Sequence, residues 1–179
     1  MNSAPCGKLS DDQRNDSERV ATYCEGHSVR IDEDEPKSKA EIDALTAAFF
    51  RAVSFNEGER PGYANLYDLF IEGGLLIKNS ADAPEISTVQ QFIEPRQRMV
   101  DSGELKRFEE RETAEITEIF GNIAHRLSIY EKHGLSAGTV IAGRGVISMQ
   151  FVATPAGWRI SALAWDDERP GLTIPESYR

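Results

Sequence analysis

Cysteine is scarce: Cys6 and Cys24 are the two in 179 residues. That is too few for a disulfide framework, and the spacing is not that of a zinc site. They read as reduced thiols, as expected of a cytoplasmic protein. No apolar run approaches the roughly 18–20 residues of a membrane-spanning helix, and the N-terminus lacks the basic start and apolar stretch of a secretory signal. Basic residues are in deficit, with 20 Lys and Arg against 30 Asp and Glu and a formal charge of −10. Phosphate backbones are bound by clustered Lys and Arg, so no nucleic-acid partner is expected. Anionic membrane surfaces would repel the chain, so no membrane partner is expected either. Of the three histidines, His27 lies near the N-terminus and His133 beside a glycine-rich stretch, leaving no metal triad. Nothing matches a nucleophile elbow, a phosphate loop or a dinucleotide fingerprint, so no cofactor is signalled.

What remains is an ordinary globular composition, 40% hydrophobic and 28% charged, at a one-domain length. Charge is unevenly spread. Residues 1–36 hold nine acids and four bases, including the run Asp32-Glu33-Asp34-Glu35, and so carry half of the net charge. Such a stretch cannot bury enough apolar surface to offset its ordering entropy, although Ser10 and Gln13 could cap a transient helix. The organisation expected is an unfolded acidic arm over 1–36, one domain over 37–168 and a surface tail over 169–179.

Ser38 and Glu41 make a capping box, and Ile42, Leu45, Phe49, Ala52 and Val53 follow at helical spacing. A second short helix is expected around Tyr63, Leu66, Tyr67 and Phe70. Gly73-Gly74 then breaks it before a short buried strand at Leu75-Leu76-Ile77. Ser87 and Gln90 suggest a third cap, for a helix ending at Gly103 that Pro95 must kink or split. Strands follow at about Leu105–Ile119, Asn122–Lys132, Arg144–Ala153 and Trp158–Trp165, the last two joined by Thr154-Pro155-Ala156-Gly157. Helices followed by strands, sharing one sheet, give an α+β class.

The run Phe120-Gly121-Asn122-Ile123-Ala124-His125-Arg126-Leu127-Ser128-Ile129-Tyr130 resembles the strand–turn–strand of SnoaL-like proteins, in the nuclear transport factor 2-like superfamily. Gly157-Trp158-Arg159-Ile160-Ser161 is similar to that family's final strand, and Ile42–Val53 to its first helix. The resemblance implies three N-terminal helices packed in a strongly curved, cone-like mixed sheet that encloses a pocket, often in homodimers. Its members include isomerases, dehydratases, cyclases and proteins without catalysis, so fold does not settle function. The strand position that carries a catalytic His in dehydratase-like members falls at Glu110 here. The Asp of isomerase-like members has Asn79 as its nearest counterpart, which cannot act as a base.

Alternation along the strand from Leu105 puts Phe108, Glu110, Glu112, Ala114 and Ile116 on one face. Burial among apolar neighbours would raise a carboxyl's pKa and make Glu110 or Glu112 a general acid or base. A bulge or a rim position would turn both to solvent instead. His125 alternates with Ile123, Leu127 and Ile129, which suits a titrating pocket histidine or a hydrogen-bonded core one. Tyr63 and Tyr67, one helical turn apart, could point hydroxyls into a cavity or simply pack in the core.

In the last hairpin the four-residue turn pairs Ala153 with Trp158, Phe151 with Ile160, Met149 with Ala162 and Ile147 with Ala164. Met149 and Phe151 would then line a pocket floor beside small alanines. The opposite face would carry Ser148, Gln150, Ser161, Leu163 and Trp165, a mixture suited to a homodimer interface. Asp166-Asp167-Glu168 reads as a solvated rim. The expected function is binding of a small, partly apolar organic molecule, with cofactor-independent proton transfer by Glu110 or Glu112 with His125. A non-catalytic binding or dimeric assembly domain is the alternative.

Overall fold

The computed structural model describes residues 20–22, 28–30, 35–80 and 83–178, in two units, Met1–Glu33 and Asp34–Arg179. In the first unit, β1 (Val20–Thr22) pairs antiparallel with β2 (Ser28–Arg30). Cys6, Cys24, His27, the Ser10 cap and most of the acidic arm lie outside the described residues.

The second unit opens with α1 (Glu35–Val53), which starts earlier than the Ser38 cap suggests. Pro36 falls in its first turn, where a missing backbone N–H costs nothing. A 3-10 turn at Tyr63–Asn65 leads into the single turn of α2 (Leu66–Leu69), then β3 (Phe70–Lys78) and β4 (Glu85–Thr88). Helix α3 (Val89–Asp101) is capped reciprocally by Thr88 and Gln91, one residue later than Ser87 and Gln90 would place it, and it runs through Pro95. Four long strands follow: β5 (Leu105–Phe120), β6 (Ile123–Ser136), β7 (Thr139–Thr154) and β8 (Gly157–Asp167). Gly121, at a φ of 54°, lets β5 and β6 join through a two-residue turn.

The sheet is mixed, in the order β4-β3-β8-β7-β6-β5. Strand β3 runs parallel to β8 and every other neighbouring pair is antiparallel. This corrects the cone-like expectation. The six strands end in two separate edges, β4 and β5, which do not pair with each other, so the sheet is not curled or closed into a cone. Part of the β5 edge is instead capped locally, where Phe55 and Phe108 exchange backbone hydrogen bonds of 2.7 and 3.0 Å. The helices are also not a single N-terminal set, since α3 follows two strands.

The core lies between α1 and the inner sheet face. Ile42, Phe49, Phe50 and Val53 pack there with Tyr130, Ile147, Met149, Phe151, Ile160 and Leu163, all at most 6% exposed. Apolar burial of this kind stabilises by about 25 cal/mol per Å² removed from water, so it dominates the favourable side of folding. After β8 the tail turns back through Arg169–Leu172 and buries Ile174, whose N–H donates to Glu168.

Candidate ligand cavity

Single-residue bulges decide which side chains meet. Strand β6 pairs with β7 without interruption, so its even-numbered residues from Ala124 to Lys132 face the helices and its odd-numbered ones face outward. On β5 the register slips between Glu112 and Ala114. Glu110 and Glu112 therefore lie opposite Lys132 and Tyr130 on the inner face, whereas Ala114 and Ile116 turn outward opposite Ile129 and Leu127. His125 is odd-numbered. It sits half-buried on the outer face, with its Nε2 3.0 Å from the Ser148 hydroxyl, and so lies on the other side of the sheet from both glutamates.

The glutamates themselves part company. Both Glu112 carboxylate oxygens accept from Arg126, at 2.9 Å from Nε and 2.6 Å from Nη2. Arg126 Nη1 also donates to Asp43 at 2.7 Å and to Thr117 at 2.9 Å, and Lys39 bridges Asp43 and Glu115. The Arg126 side chain is only 4% exposed. A buried guanidinium needs these partners, so Glu112 belongs to a structural knot under α1. Lys39 and Arg126 hold the Asp43 carboxyl below its ordinary range. Thr117, Lys39 and Arg126 do the same for Glu115.

Glu110 is placed differently. Its backbone is fixed by Ser54 beyond the end of α1, whose hydroxyl accepts from the Glu110 N–H at 3.0 Å and donates to its carbonyl at 3.2 Å. Its side chain lines a cavity of about 390 Å³ with mostly apolar walls, among them Phe92, Met99, Phe108 and Trp165, and with Tyr63, Lys78, Glu85, Arg96 and Lys132 as its other polar members. Burial pushes the Glu110 carboxyl up to about 7, and Asp167 adds to this, against the opposing pull of Lys132 and Arg96. Lys132 offsets only part of this, because its ammonium is itself held 2.6 Å from Asp167. A carboxyl titrating near neutrality inside an apolar cavity can act as either acid or base.

Tyr63 is buried in the same cavity wall, its phenol pushed up to about 12 by burial, so it remains a hydrogen-bond donor. Tyr67 is 53% exposed and lies elsewhere. The two diverge because Tyr63 belongs to a 3-10 turn and Tyr67 to the next short helix. Met149 and Phe151 are wholly buried core residues and do not border the cavity. A second bulge, at Ser161, corrects the hairpin register. Met149 pairs with Leu163 and Ile147 with Trp165, so Leu163 and Trp165 turn inward as cavity wall instead of outward as interface.

Sequence reasoning missed Arg96, Tyr130, Lys132 and Asp167. Arg96 stands one helical turn after Phe92, on the apolar stripe of α3, and its guanidinium stacks 3.6 Å from the Phe92 ring centre. That position is the one signal that could have found it. Asp167 leaves the acidic rim to accept from Tyr130 and Lys132. The Tyr130 hydroxyl fits because Gly145 lies directly opposite; a Cβ there would come within 2.3 Å of that oxygen. Among the described residues no three His, Cys, Asp or Glu side chains are arranged to hold a metal, and no helix is long and apolar enough to cross a membrane.

No protein-family model matches the chain, and no curated protein matches it by sequence. Solved structures do match, as a likeness of fold. A nuclear transport factor 2-like superfamily protein from Salmonella enterica superposes with a TM-score of 0.62 at 15% identity, over 80% of this chain and 99% of that one. A nuclear transport factor 2-like protein with a cystatin-like fold from Novosphingobium aromaticivorans gives 0.56 at 16% identity, over 80% and 88%. A candidate dehydratase of the same family from Streptomyces avermitilis gives 0.56 at 12% identity, over 74% and 97%. The fold is thus the nuclear transport factor 2-like one, carried on an open six-stranded sheet.

Proposed function

We propose that the second unit is a small-molecule pocket of the SnoaL-like type, in which Glu110 exchanges a proton with a bound, partly apolar molecule. The reaction class is isomerisation, dehydration or cyclisation without a cofactor. One observation carries the reading: a half-buried group in the wall of the 390 Å³ cavity is a carboxyl pushed up to about 7. Perturbed carboxyls in apolar clefts are characteristic of proton-transfer sites. Tyr63, on the same cavity, supplies a donor for a developing oxyanion. The candidate dehydratase with this fold is in keeping with such chemistry.

A second reading, a non-catalytic binding or dimeric assembly domain, is favoured by the separation of Glu110 from His125 and by the apolar outer face. Ile116, Ile123 and Phe120 are 40, 57 and 84% exposed near Ser148 and Gln150 there, a surface a second copy would cover. Both readings share the homodimer and the pocket, and deuterium exchange separates them. The protein is incubated in D2O with an apolar cyclic ketone such as 2-tetralone, and binding is followed by melting temperature. Proton transfer predicts α-deuteration above the buffer rate, lost by ~10²-fold or more in Glu110→Gln. Binding without accelerated exchange would leave the non-catalytic pocket as the better reading.

A further inference from the structure

The cavity's charges are unevenly satisfied, and the imbalance names a ligand class. Three cations reach it. Lys132 is held by Asp167 at 2.6 Å. Lys78 is exposed to water, so its charge is solvated although among the described residues it forms no ion pair within 4.0 Å. Arg96 is different. One of its N–H groups donates to the Phe92 carbonyl at 2.9 Å. Among the described residues it forms no ion pair within 4.0 Å. The guanidinium is held flat on one side by the Phe92 ring, 3.6 Å away, and borders the cavity. A planar fork with unused donors, fixed by stacking, is pre-organised for a bidentate carboxylate. The walls around it are Phe92 and Trp165, which meet edge to face at 6.1 Å, together with Met99 and Phe108.

We infer that the cavity selects an organic anion, a carboxylate on a planar aromatic or alicyclic body, and that Arg96 recognises the carboxylate. This rests on the cavity being a ligand site, and it adds the class of ligand. The groups facing Arg96 are Tyr63, Glu85 and Glu110. Those facing Glu110 are Lys132 on β6, Asp167 on β8 and Arg96 on α3. With Glu110 protonated, the three cations Lys78, Arg96 and Lys132 outnumber the carboxylates Glu85 and Asp167 by one, and one ligand carboxylate neutralises that excess. Ionisation of Glu110 cancels that excess, so anion binding weakens as pH rises past about 7.

The test is calorimetry on the full chain with benzoate and 2-naphthoate against their neutral amides, benzamide and 2-naphthamide. NMR shifts at the Trp165 indole and the Met99 methyl locate the site. The wild type should prefer each carboxylate by ~10–100-fold, the range of a charge-assisted pair. The preference should weaken as pH rises past about 7. Arg96→Gln should abolish the preference by weakening the carboxylates far more than the amides, and Arg96→Lys should restore part of it. Equal binding of acid and amide to the wild type, or a preference that survives Arg96→Gln, would overturn the inference while the pocket stands. If neither series perturbs Trp165 or Met99, the inference and the pocket reading fall together.

Discussion

Glu110→Gln should stabilise the protein, and by an amount that depends on pH. In the folded state the carboxyl holds its proton up to about 7, against an ordinary value of 4.5 in the unfolded chain. Between these values the folded state binds more protons, so the stability Glu110 contributes is fully present below 4.5 and is lost as pH rises through about 7. At ~1.4 kcal/mol per tenfold change in proton affinity, ionised Glu110 costs the fold on the order of 3 kcal/mol above that pH. Glutamine keeps the shape and cannot ionise. The variant and the wild type should therefore differ by a constant offset at acid pH, and the variant should gain ~3 kcal/mol on it by about pH 8. For a chain of this length that is roughly 6–12 °C in melting temperature. Urea denaturation of both proteins across this pH range measures the difference directly, and other titrating groups cancel between them. A difference that stays flat with pH would refute the perturbed cavity carboxyl and with it the reasoning about the cavity.

Other substitutions probe the surrounding structure. Arg126→Met should cost about 3–5 kcal/mol in urea denaturation, because it strands Glu112 and removes a cation from Asp43 and Glu115. Asp43 and Glu115 are held below their ordinary values, so their contribution is present above about pH 4 and lost as pH falls; a wild type that shows no acid destabilisation there would contradict the network. Gly145→Ala places a methyl within 2.4 Å of the Asp166 carbonyl and even closer to the Tyr130 hydroxyl, and should cost at least about 1–3 kcal/mol. His125→Ala should leave ligand affinity unchanged by calorimetry, since the imidazole lies on the outer face beside Ser148. Ile123→Glu should dissociate the proposed homodimer in light scattering, whereas a variant dimer of unchanged affinity would remove the outer face as the interface.

Much of the fold is legible in apolar spacing. The stripe from Ile42 to Val53 packs as α1, and Gly121-Asn122 makes the hairpin between β5 and β6. The turn at Thr154–Gly157 pairs Ala153 with Trp158 and Phe151 with Ile160 as its length dictates. The site is much less legible, and the reason is local. Period-two reasoning carries a strand's facing forward until one extra residue reverses it, and a bulge leaves no mark in composition. Thr113 turns Ala114 and Ile116 outward, while the extra residue at Ser161 turns Leu163 and Trp165 inward. Glycines at 134, 138, 143 and 145 disguised the paired ends of β6 and β7 as a loop. The strongly curved, cone-like sheet is an expectation from the resemblance alone, and the separate edges at β4 and β5 correct it. Arg96 went unread because a charged residue on an apolar helical stripe looks like a rim position until its ring partner, Phe92, is seen.

The central claim is that a proton-exchanging carboxyl is confined in the cavity. Carbon-13 NMR of the Glu110 side-chain carboxyl, assigned by its absence in Glu110→Gln, tests this most directly. The titration midpoint should fall at about 7. A midpoint at the ordinary 4.5 would place Glu110 in effective contact with water and contradict the proposed site.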